Sequence, residues 1–387
     1  MPKAGPERRL WSRPARRPRG KARAVAFDVM KQGQNEAVTF PTDKLIDWGA
    51  ADRVGRSVAG LGHTLTAVER ARLVEDFSEL VPEAEALVQE FTGLHPGPQR
   101  SRAWVMTRGQ WLHQNLRGFE RVLEPFAHKL LANRPDGAMA GVRRGVLGAQ
   151  LGALLGYLGH RVLGQYDMFL PPDDDGLLYF VGANVAGVEG KHRFAPRDFR
   201  LWICLHEVTH RLQFGGAPWL RGYLTGLMDS YLGSVELDPT WLLDRLRSAV
   251  AEVRSGQMER GFGWVFLLMT PDQRDMVKKM QAAMSLLEGH SNFAMDEVSR
   301  GRIRNADHFR ETLHERRSKA GLERAFQRAI GFDVKVRQYT MGERFTRKVV
   351  QEVGMDRFNR VWEGPSSLPT MDEIRRPQGW VARVAAS

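Results

Sequence analysis

The stretch Leu205-His206-Glu207-Val208-Thr209-His210 decides how this sequence is interpreted. It has the pattern H-E-x-x-H, and on a helix His206 and His210 would lie one turn and about 40° apart around the axis. Both imidazoles can then converge on one metal ion. Glu207 lies at the flank of the same face, where its carboxylate can take a proton from a metal-activated water. We therefore predict His206 and His210 as zinc ligands and Glu207 as a general base.

The residues around this motif predict that it lies within a helix. The segment Phe199–Phe214 is rich in apolar residues, Pro196 suits the first turn, and Gly215-Gly216 suits the end. The segment Leu177–Val181 precedes it and is the strongest predicted strand, because its residues are aromatic or branched. Cys204 points away from the predicted metal face, so we interpret it as a packed core thiol.

A hydrolytic zinc site usually has three protein ligands and one open position. The longer pattern H-E-x-x-H-x-x-G-x-x-H would supply the third ligand from the same segment. That pattern fails here, because Gln213 stands at its glycine position and Gly216 at its last histidine position. The third ligand must therefore come from a later helix.

The segment Leu286–Asp296 offers two candidates for the third ligand, Glu288 and His290. They are about 200° apart on a helix, so they cannot both bind one metal. His290 shares a face with apolar residues and is more naturally a lining or core residue, whereas Glu288 lies on a mixed face. We favour Glu288, with His290 and other residues such as Asp229 as alternatives.

Further residues are candidates for supporting roles. Asp296, two turns beyond Glu288, is a candidate for orienting a zinc-bound imidazole. The alternative role for Asp296 is a surface salt bridge with Arg300. A donor is also needed to stabilise an oxyanion opposite Glu207, and Tyr339, His290 and Tyr223 are candidates that spacing alone does not separate.

Helical periodicity covers most of the chain after about residue 40. It predicts an α+β fold that is predominantly helical, with a small sheet beside the H-E-x-x-H helix. Thr42 or Asp43 is expected to cap a first helix, and Thr66-Ala-Val-Glu69 opens a second with a capping box. Helical spacing then continues from Ala103 to Leu163, with a turn at Asn133–Gly137. Further helical patterns occur at Trp241–Val253, Pro271–Leu287, Phe293–Ile303, Leu322–Ile330 and Phe345–Val353.

No internal repeat or long linker divides the chain, so we predict one domain over residues 41–387. It would comprise a helical N-terminal part, 41–170, and a part with the metal site, 171–387. The alternating segment Phe332–Tyr339 predicts one more strand. Thr370-Met-Asp-Glu373 is another capping box, which indicates order almost to the C-terminus.

The 387 residues carry a net charge of +12, and 42% of them are hydrophobic. This composition excludes wholesale disorder, and the single cysteine excludes a disulfide scaffold. Residues 1–23 contain nine basic side chains and one acidic one. We therefore predict residues 1–40 as a disordered basic tail, without specific nucleic-acid binding.

The uncharged run Gly145–Gly159 is too short to span a membrane, and its regularly spaced glycines favour a closely packed helix in a core. No export signal is visible, although Arg8-Arg9 invites that comparison. Together with the unpaired Cys204, this indicates a cytoplasmic protein without membrane attachment.

If the substrate is a peptide, the predicted strand Leu177–Val181 and the following Gly182-Ala-Asn184 could form the rim of a cleft. An extended substrate would then pair with the strand by backbone hydrogen bonds. The alternative is an internal strand of the small sheet.

The sequence resembles the zincin-like metallopeptidases of actinobacteria and related bacteria, some of which are labelled as associated with biosynthesis of a deazaflavin coenzyme. The resemblance covers about residues 40 to 385. It rests on Ile46–Gly49, Leu163–Asp167, His206–Phe214 with Pro218–Arg221, Leu287–His290 with Met295-Asp296, Gln338-Tyr339 and Pro369-Thr370. It implies a zincin-type fold and a His/His/Glu metal site of the gluzincin kind. Carried over by position, it makes His206, His210 and Glu288 the ligands and Glu207 the base.

Two functions follow as hypotheses. The first is a zinc metallopeptidase or amide hydrolase that binds one Zn²⁺ per chain, acts on a peptide or protein, and uses Glu207 as general base. The second is a protein that binds zinc but catalyses no reaction, namely a zinc-stabilised binding or scaffold protein linked to coenzyme biosynthesis. A purely structural site does not need a general base, so a Glu207→Gln variant discriminates between them.

Overall fold

The structure is a computed structural model that describes residues 41–131, 139–168, 174–235, 269–318 and 335–385. The predicted basic tail, 1–40, lies outside the described residues. So do the predicted turn at 133–137 and the predicted helices at 241–253 and 322–330.

The described chain is mostly helical, as predicted. The longer helices are α1 (Trp48–Ala59), α2 (Ala67–Thr92), α3 (Arg108–Leu131), α4 (Ala140–Leu158), α5 (Gly182–His192), α6 (Pro196–Gly216), α7 (Trp219–Gly233), α8 (Pro271–Ser299), α9 (Ala306–Ser318) and α10 (Lys335–Val353). Short helices follow at α11 (Met355–Phe358), α12 (Met371–Arg375) and α13 (Pro377–Trp380). Single turns of 3₁₀- or π-helix lie at Pro41–Lys44, Asn359–Trp362, Pro365–Ser367 and Val381–Ala385.

Several helix predictions are confirmed in detail. The H-E-x-x-H helix, α6, begins at Pro196 and ends at Gly216. Thr66 and Thr370 each cap a helix with a complete capping box. The predicted cap of the first helix is wrong. Thr42 or Asp43 was expected to cap it, but Asp47 caps α1 by accepting a hydrogen bond of 2.7 Å from the Ala50 amide.

The sheet has three strands, β1 (Arg102–Met106), β2 (Gly164–Tyr166) and β3 (Leu177–Val181), in the order β1-β3-β2. β3 pairs with β1 in parallel and with β2 antiparallel. The predicted strand at Leu177–Val181 is thus confirmed. The prediction that it forms the rim of a cleft is wrong, because both of its edges are already paired. The residues Gly182-Ala-Asn184 are the first turn of α5.

Three segments differ in secondary structure from the sequence prediction. Residues 103–106 form most of β1, not the start of a helix, because they pair with the apolar strand β3. Residues 335–339, expected in a strand, belong to α10. The two helices predicted between Pro271 and Ile303 are joined in the single helix α8. The local pattern at residues 103–106 did not reveal their pairing with β3.

The H-E-x-x-H helix runs through the main hydrophobic core. Apart from the two histidines, its central residues from Phe199 to Gln213 are mostly buried. The core also receives Phe77 of α2, whose ring stacks on Phe180 of β3 with centroids 4.0 Å apart, and apolar residues of α8 and α10. α6 packs against α2, β2 and α8. This packing fixes the position of the polar side chains on α6.

The glycines of α4 allow the close packing that their spacing predicted. A methyl group at Gly152 would collide with the backbone carbonyl of Ala51, so α1 and α4 approach each other through their backbones. Gly148 and Gly156 make similar contacts, whereas Gly145 has open space around it. In the described part of the chain, no helix has the length and apolar character needed to cross a membrane.

Candidate metal centre

The two motif histidines lie together on one face of α6. Their ring centroids are 4.8 Å apart with perpendicular planes. Both side chains are largely but not completely buried, 16% exposed for His206 and 13% for His210. The one-turn spacing thus gives the convergence that the sequence predicted.

The third group comes from α8, as favoured in the sequence analysis. A carboxylate oxygen of Glu288 lies 3.7 Å from Nε2 of His206, and the other lies 3.8 Å from Nε2 of His210. The three ligand atoms all lie within 4.8 Å of one another. Among the residues that the structure describes, no other group of three metal-ligating side chains is this close.

This donor set fits a zinc ion. Ligand atoms on tetrahedral zinc are separated by roughly 3.3 Å, given bond lengths of about 2.0–2.2 Å. The distances from Glu288 to the two histidines exceed that separation by only about half an ångström. Two neutral imidazoles and one carboxylate, partly exposed, are also the ligand types of zinc sites that leave a position for water.

The strand β2 holds Glu207 beside the two histidines. The backbone amide of Tyr166 donates a hydrogen bond of 2.9 Å to Oε2 of Glu207. The absence of a side chain at Gly164 makes room for this approach, since a methyl group there would lie 2.7 Å from Cγ of Glu207. Glu207 is only 7% exposed. A carboxylate with a fixed orientation therefore lies next to the candidate metal ligands.

The comparison with known protein families agrees with this geometry. The sequence matches the family described as zincin-like metallopeptidase over residues 46–381. The chain belongs to the zincin-like metallopeptidase family. A metal-dependent hydrolase, typically with zinc, is the class of protein that this membership supports.

One solved structure is similar to this zincin-like chain. It is described as "a putative hydrolase with a novel fold" from Chloroflexus aurantiacus, with 31% sequence identity and a TM-score of 0.67. The match covers 87% of this chain and 98% of the other. Among curated proteins, none matches. The predicted links to actinobacteria and to coenzyme biosynthesis stay predictions.

His290 lies apart from the ligand group. It is 0% exposed, and its ring stacks on that of Phe358 with centroids 5.4 Å apart. Burial is the main cause that lowers the pKa of His290 to about 3, so the imidazole is neutral at physiological pH. Its Nδ1 lies 2.9 Å from the side-chain amide nitrogen of Gln213. The structure therefore places it in the core behind the site, as its apolar face indicated.

Asp296 is paired with arginines on neighbouring helices. Its carboxylate lies 2.5 Å from Arg310 and 3.6 Å from Arg347. The alternative partner, Arg300, pairs instead with Glu297. Burial raises the pKa of Asp296 to about 7 despite the two arginines. Its role as an orienter of a zinc-bound imidazole stays a prediction.

The other candidates are spread over the fold. Tyr223 packs edge-on against Trp219 on α7, and burial raises the pKa of its hydroxyl. Asp229, also on α7, is exposed and is not part of the ligand group. Tyr339 belongs to α10, but its side chain is outside the described residues. Cys204 is fully buried in the core, and burial raises its pKa, as expected for an unreactive thiol.

Two polar residues beside His210 were not identified from the sequence. The side-chain oxygen of Gln213 lies 3.0 Å from Nδ1 of His210, and the hydroxyl of Ser291 lies 3.2 Å from the same atom. Metal-binding histidines commonly have such a partner on the second ring nitrogen. The position of Gln213, one turn after His210, was an available signal, whereas Ser291 required the packing of α8.

Proposed function

We propose that this chain is a zinc-dependent hydrolase that cleaves peptide or other amide bonds, with Glu207 as general base. The observation that carries the proposal is the convergence of His206, His210 and Glu288 beside a carboxylate held by β2. A purely structural zinc site normally has four protein ligands and no neighbouring base. Three ligands with partial exposure and an adjacent carboxylate favour catalysis.

One zinc ion per chain would be held by Nε2 of His206, Nε2 of His210 and the carboxylate of Glu288. When bound, the ion would supply Lewis acidity, which activates a water molecule and polarises a substrate carbonyl. The remaining chemistry belongs to side chains and backbone of this chain.

Glu207 would move the proton. Its carboxylate takes a proton from the attacking water and delivers it to the leaving amine nitrogen. The hydrogen bond from the Tyr166 amide holds the carboxylate in one orientation, so little reorganisation is needed when the water attacks. The low exposure of Glu207 also limits competition from bulk water.

β2 is the strand that would bind an extended substrate. The Val181 amide donates a hydrogen bond to the Leu163 carbonyl. Because hydrogen-bonded residues alternate along an antiparallel pair, the backbone N–H and C=O groups of residues 163 and 165 point towards β3, and those of Gly164 and Tyr166 point away from it. That outward side is also the side of Glu207. Because the Tyr166 amide is already bonded to Glu207, a peptide lying along this side would pair with the other outward backbone groups of Gly164 and Tyr166, and its scissile bond would be close to the base and the ligands.

The decisive experiment is hydrolysis of a fluorogenic peptide library by zinc-loaded wild-type protein and by Glu207→Gln. We expect wild-type activity and a loss of about 10²–10⁴-fold in kcat in the variant, the usual contribution of a general base. Zinc content and the folded state should be unchanged, because Glu207 is not one of the three ligands.

Glu189→Gln is the matched control. Glu189 has similar burial to Glu207 but pairs with Arg200 at 2.7 Å, so its loss should lower stability without changing kcat. Equal activity of Glu207→Gln and wild type would contradict the mechanism. Stoichiometric zinc without hydrolysis of any peptide would favour the zinc-stabilised scaffold.

A further inference from the structure

Gln213 connects the two helices that carry the metal ligands. It lies on α6 and is 0% exposed. Its amide oxygen lies 3.0 Å from Nδ1 of His210. Its amide nitrogen lies 2.9 Å from the Leu287 carbonyl and 2.9 Å from Nδ1 of His290, both on α8. A single buried side chain thus contacts one of the proposed ligands directly and residues of α8 before and after Glu288.

The Leu287 contact fixes which end of the amide faces which partner. A backbone carbonyl only accepts hydrogen bonds, so the group beside it must be the NH₂ of Gln213. The oxygen of Gln213 therefore faces His210. Since that oxygen only accepts, Nδ1 of His210 must carry the hydrogen. The proton-free nitrogen is then Nε2, which lies 3.8 Å from Glu288.

Ser291 cannot impose this arrangement by itself. Its hydroxyl lies 3.2 Å from Nδ1 of His210 and 3.3 Å from the amide nitrogen of Gln213. A hydroxyl can donate or accept, so it is compatible with either tautomer of the imidazole. Gln213 therefore determines the tautomer of His210, and Ser291 adapts to it.

We propose that Gln213 is a positioning residue that prepares the metal site before metal binds. It holds His210 in the tautomer that presents Nε2, and it fixes α8 to α6 so that Glu288 faces the two histidines. Metal binding then requires less reorganisation than it would with an unrestrained imidazole and a separately moving α8. This inference rests on the proposed function, because it assumes that His206, His210 and Glu288 bind zinc.

The test is zinc affinity, measured by competition with a chromophoric chelator, for wild type, Gln213→Met and Gln213→Asn. Methionine matches the length of glutamine but cannot make the three hydrogen bonds. Asparagine keeps the amide but is too short to reach His210 and α8 together. We expect zinc affinity to fall about 10–100-fold in both, the typical effect of removing an outer partner of a ligand.

Gln281→Met is the matched control. Gln281 is another buried glutamine on α8, two turns before Glu288, whereas His210 has its hydrogen-bond contacts with Gln213 and Ser291. Its replacement should leave zinc affinity within about twofold of wild type. A general effect of losing a buried amide would instead weaken zinc binding in the control as well.

The absorption spectrum of Co²⁺-substituted protein provides a second readout. A displaced His210 or Glu288 should change the intensity of the visible bands, because they depend on the coordination geometry. Unchanged zinc affinity and an unchanged Co²⁺ spectrum in Gln213→Asn would overturn the inference, even if the variant is less stable. If Gln213→Met does not fold, Gln213→Asn decides alone.

The experiment separates the two proposals. If the Gln213 variants match the wild-type protein in both zinc affinity and Co²⁺ spectrum, the positioning role is refuted and the hydrolase proposal is left intact. Wild-type protein that binds no zinc refutes the metal site itself.

Discussion

The helices α6 and α8 bring their candidate metal ligands to the same point by different means. In α6, His206 and His210 are one turn apart, so their relation is fixed by the geometry of any α-helix. Glu288 of α8 comes from a distant part of the sequence, and its place depends on how α8 packs against α6 and α10. The relative position of the two histidines is therefore encoded locally, whereas the position of Glu288 beside them exists only in the folded chain.

The largest expected effect is the loss of the non-local ligand. Glu288→Ala should remove stoichiometric zinc, measured by elemental mass spectrometry after gel filtration, because the two histidines alone supply only two of the three protein ligands that a hydrolytic zinc site needs. The decrease in affinity should exceed the roughly 10–100-fold typical of outer partners. His210→Ala should have an equally large effect, although its ligand is locally encoded.

Glu297→Ala is the control for this comparison. Glu297 is also on α8, but it pairs with Arg347 at 2.6 Å and is not in the ligand group. Full zinc content in Glu288→Ala would show that α8 contributes no ligand.

The second prediction concerns the base rather than the ligands. In Gly164→Ala the new methyl group would lie 2.7 Å from Cγ and 2.8 Å from Oε1 of Glu207, so the carboxylate must move. A displacement of this kind can reduce kcat by about 10²-fold. Zinc content should stay at the wild-type level.

Gly222→Ala provides the reference, because this exposed glycine on α7 has open space around it. Steady-state kinetics with a peptide substrate would compare the two variants. A parallel loss of zinc in Gly164→Ala would indicate that β2 supports the ligands as well as the base.

The third prediction tests how α8 is held by α10. A methyl group at Gly342 of α10 would collide with the backbone carbonyl of Ser285, one turn before Gly289 on α8. Gly342→Ala should therefore shift α8, lower stability by about 1–3 kcal/mol and weaken zinc binding about tenfold.

Gly152→Ala distinguishes a general packing defect from this specific effect. It should destabilise the contact of α1 with α4 by a similar amount, since its methyl group would meet the Ala51 carbonyl. Its zinc affinity should be unchanged. Equal zinc affinities in the two variants would mean that Glu288 does not depend on the crossing of α8 and α10.

The smallest effect is expected at Asp296, which is on α8 but paired away from the ligands. Its pKa is about 7 in the folded protein, against an ordinary value of 3.8. The folded state therefore binds more protons than the unfolded state between these pH values. Stability should fall as pH rises through this window, by at most about 1.4 kcal/mol per pH unit from this group.

Asp296→Asn should remove this contribution and flatten the profile, measured by urea denaturation of zinc-free protein from pH 4.5 to 8. Asp307→Asn is the control, because Asp307 also contacts Arg310 but its side chain is 90% exposed. Identical profiles for wild type and Asp296→Asn would show that the carboxyl group titrates normally.

Much of the fold was predictable wherever local signals were strong. Proline and glycine marked the ends of α6, and capping boxes at Thr66 and Thr370 marked helix starts. The strands β1 and β2 were missed for different reasons: the apolar residues of β1 fit the helical spacing predicted from Ala103 onward, and β2 has only three residues and so carries little pattern of its own. They were identified only through their pairing with β3.

The candidate site divides in the same way. The spacing of the motif predicted His206, Glu207 and His210. Glu288 was favoured for two reasons: it lies on a mixed helix face, and the family resemblance makes it a ligand. The sequence left open whether the strand Leu177–Val181 forms the rim of a cleft or is internal; β3 is the central strand, and β2 is the edge strand beside Glu207. Order along the chain does not specify order in a sheet.

The sequence by itself determined the helix α6, the relation of its two histidines and the presence of a neighbouring carboxylate, because helical geometry repeats every few residues. Only the tertiary structure decided that Glu288 lies beside the two histidines, that the Tyr166 amide holds Glu207 and that Gln213 joins α6 to α8. These contacts connect residues far apart in sequence. They depend on close packing of the buried helices and the sheet, which no local pattern specifies.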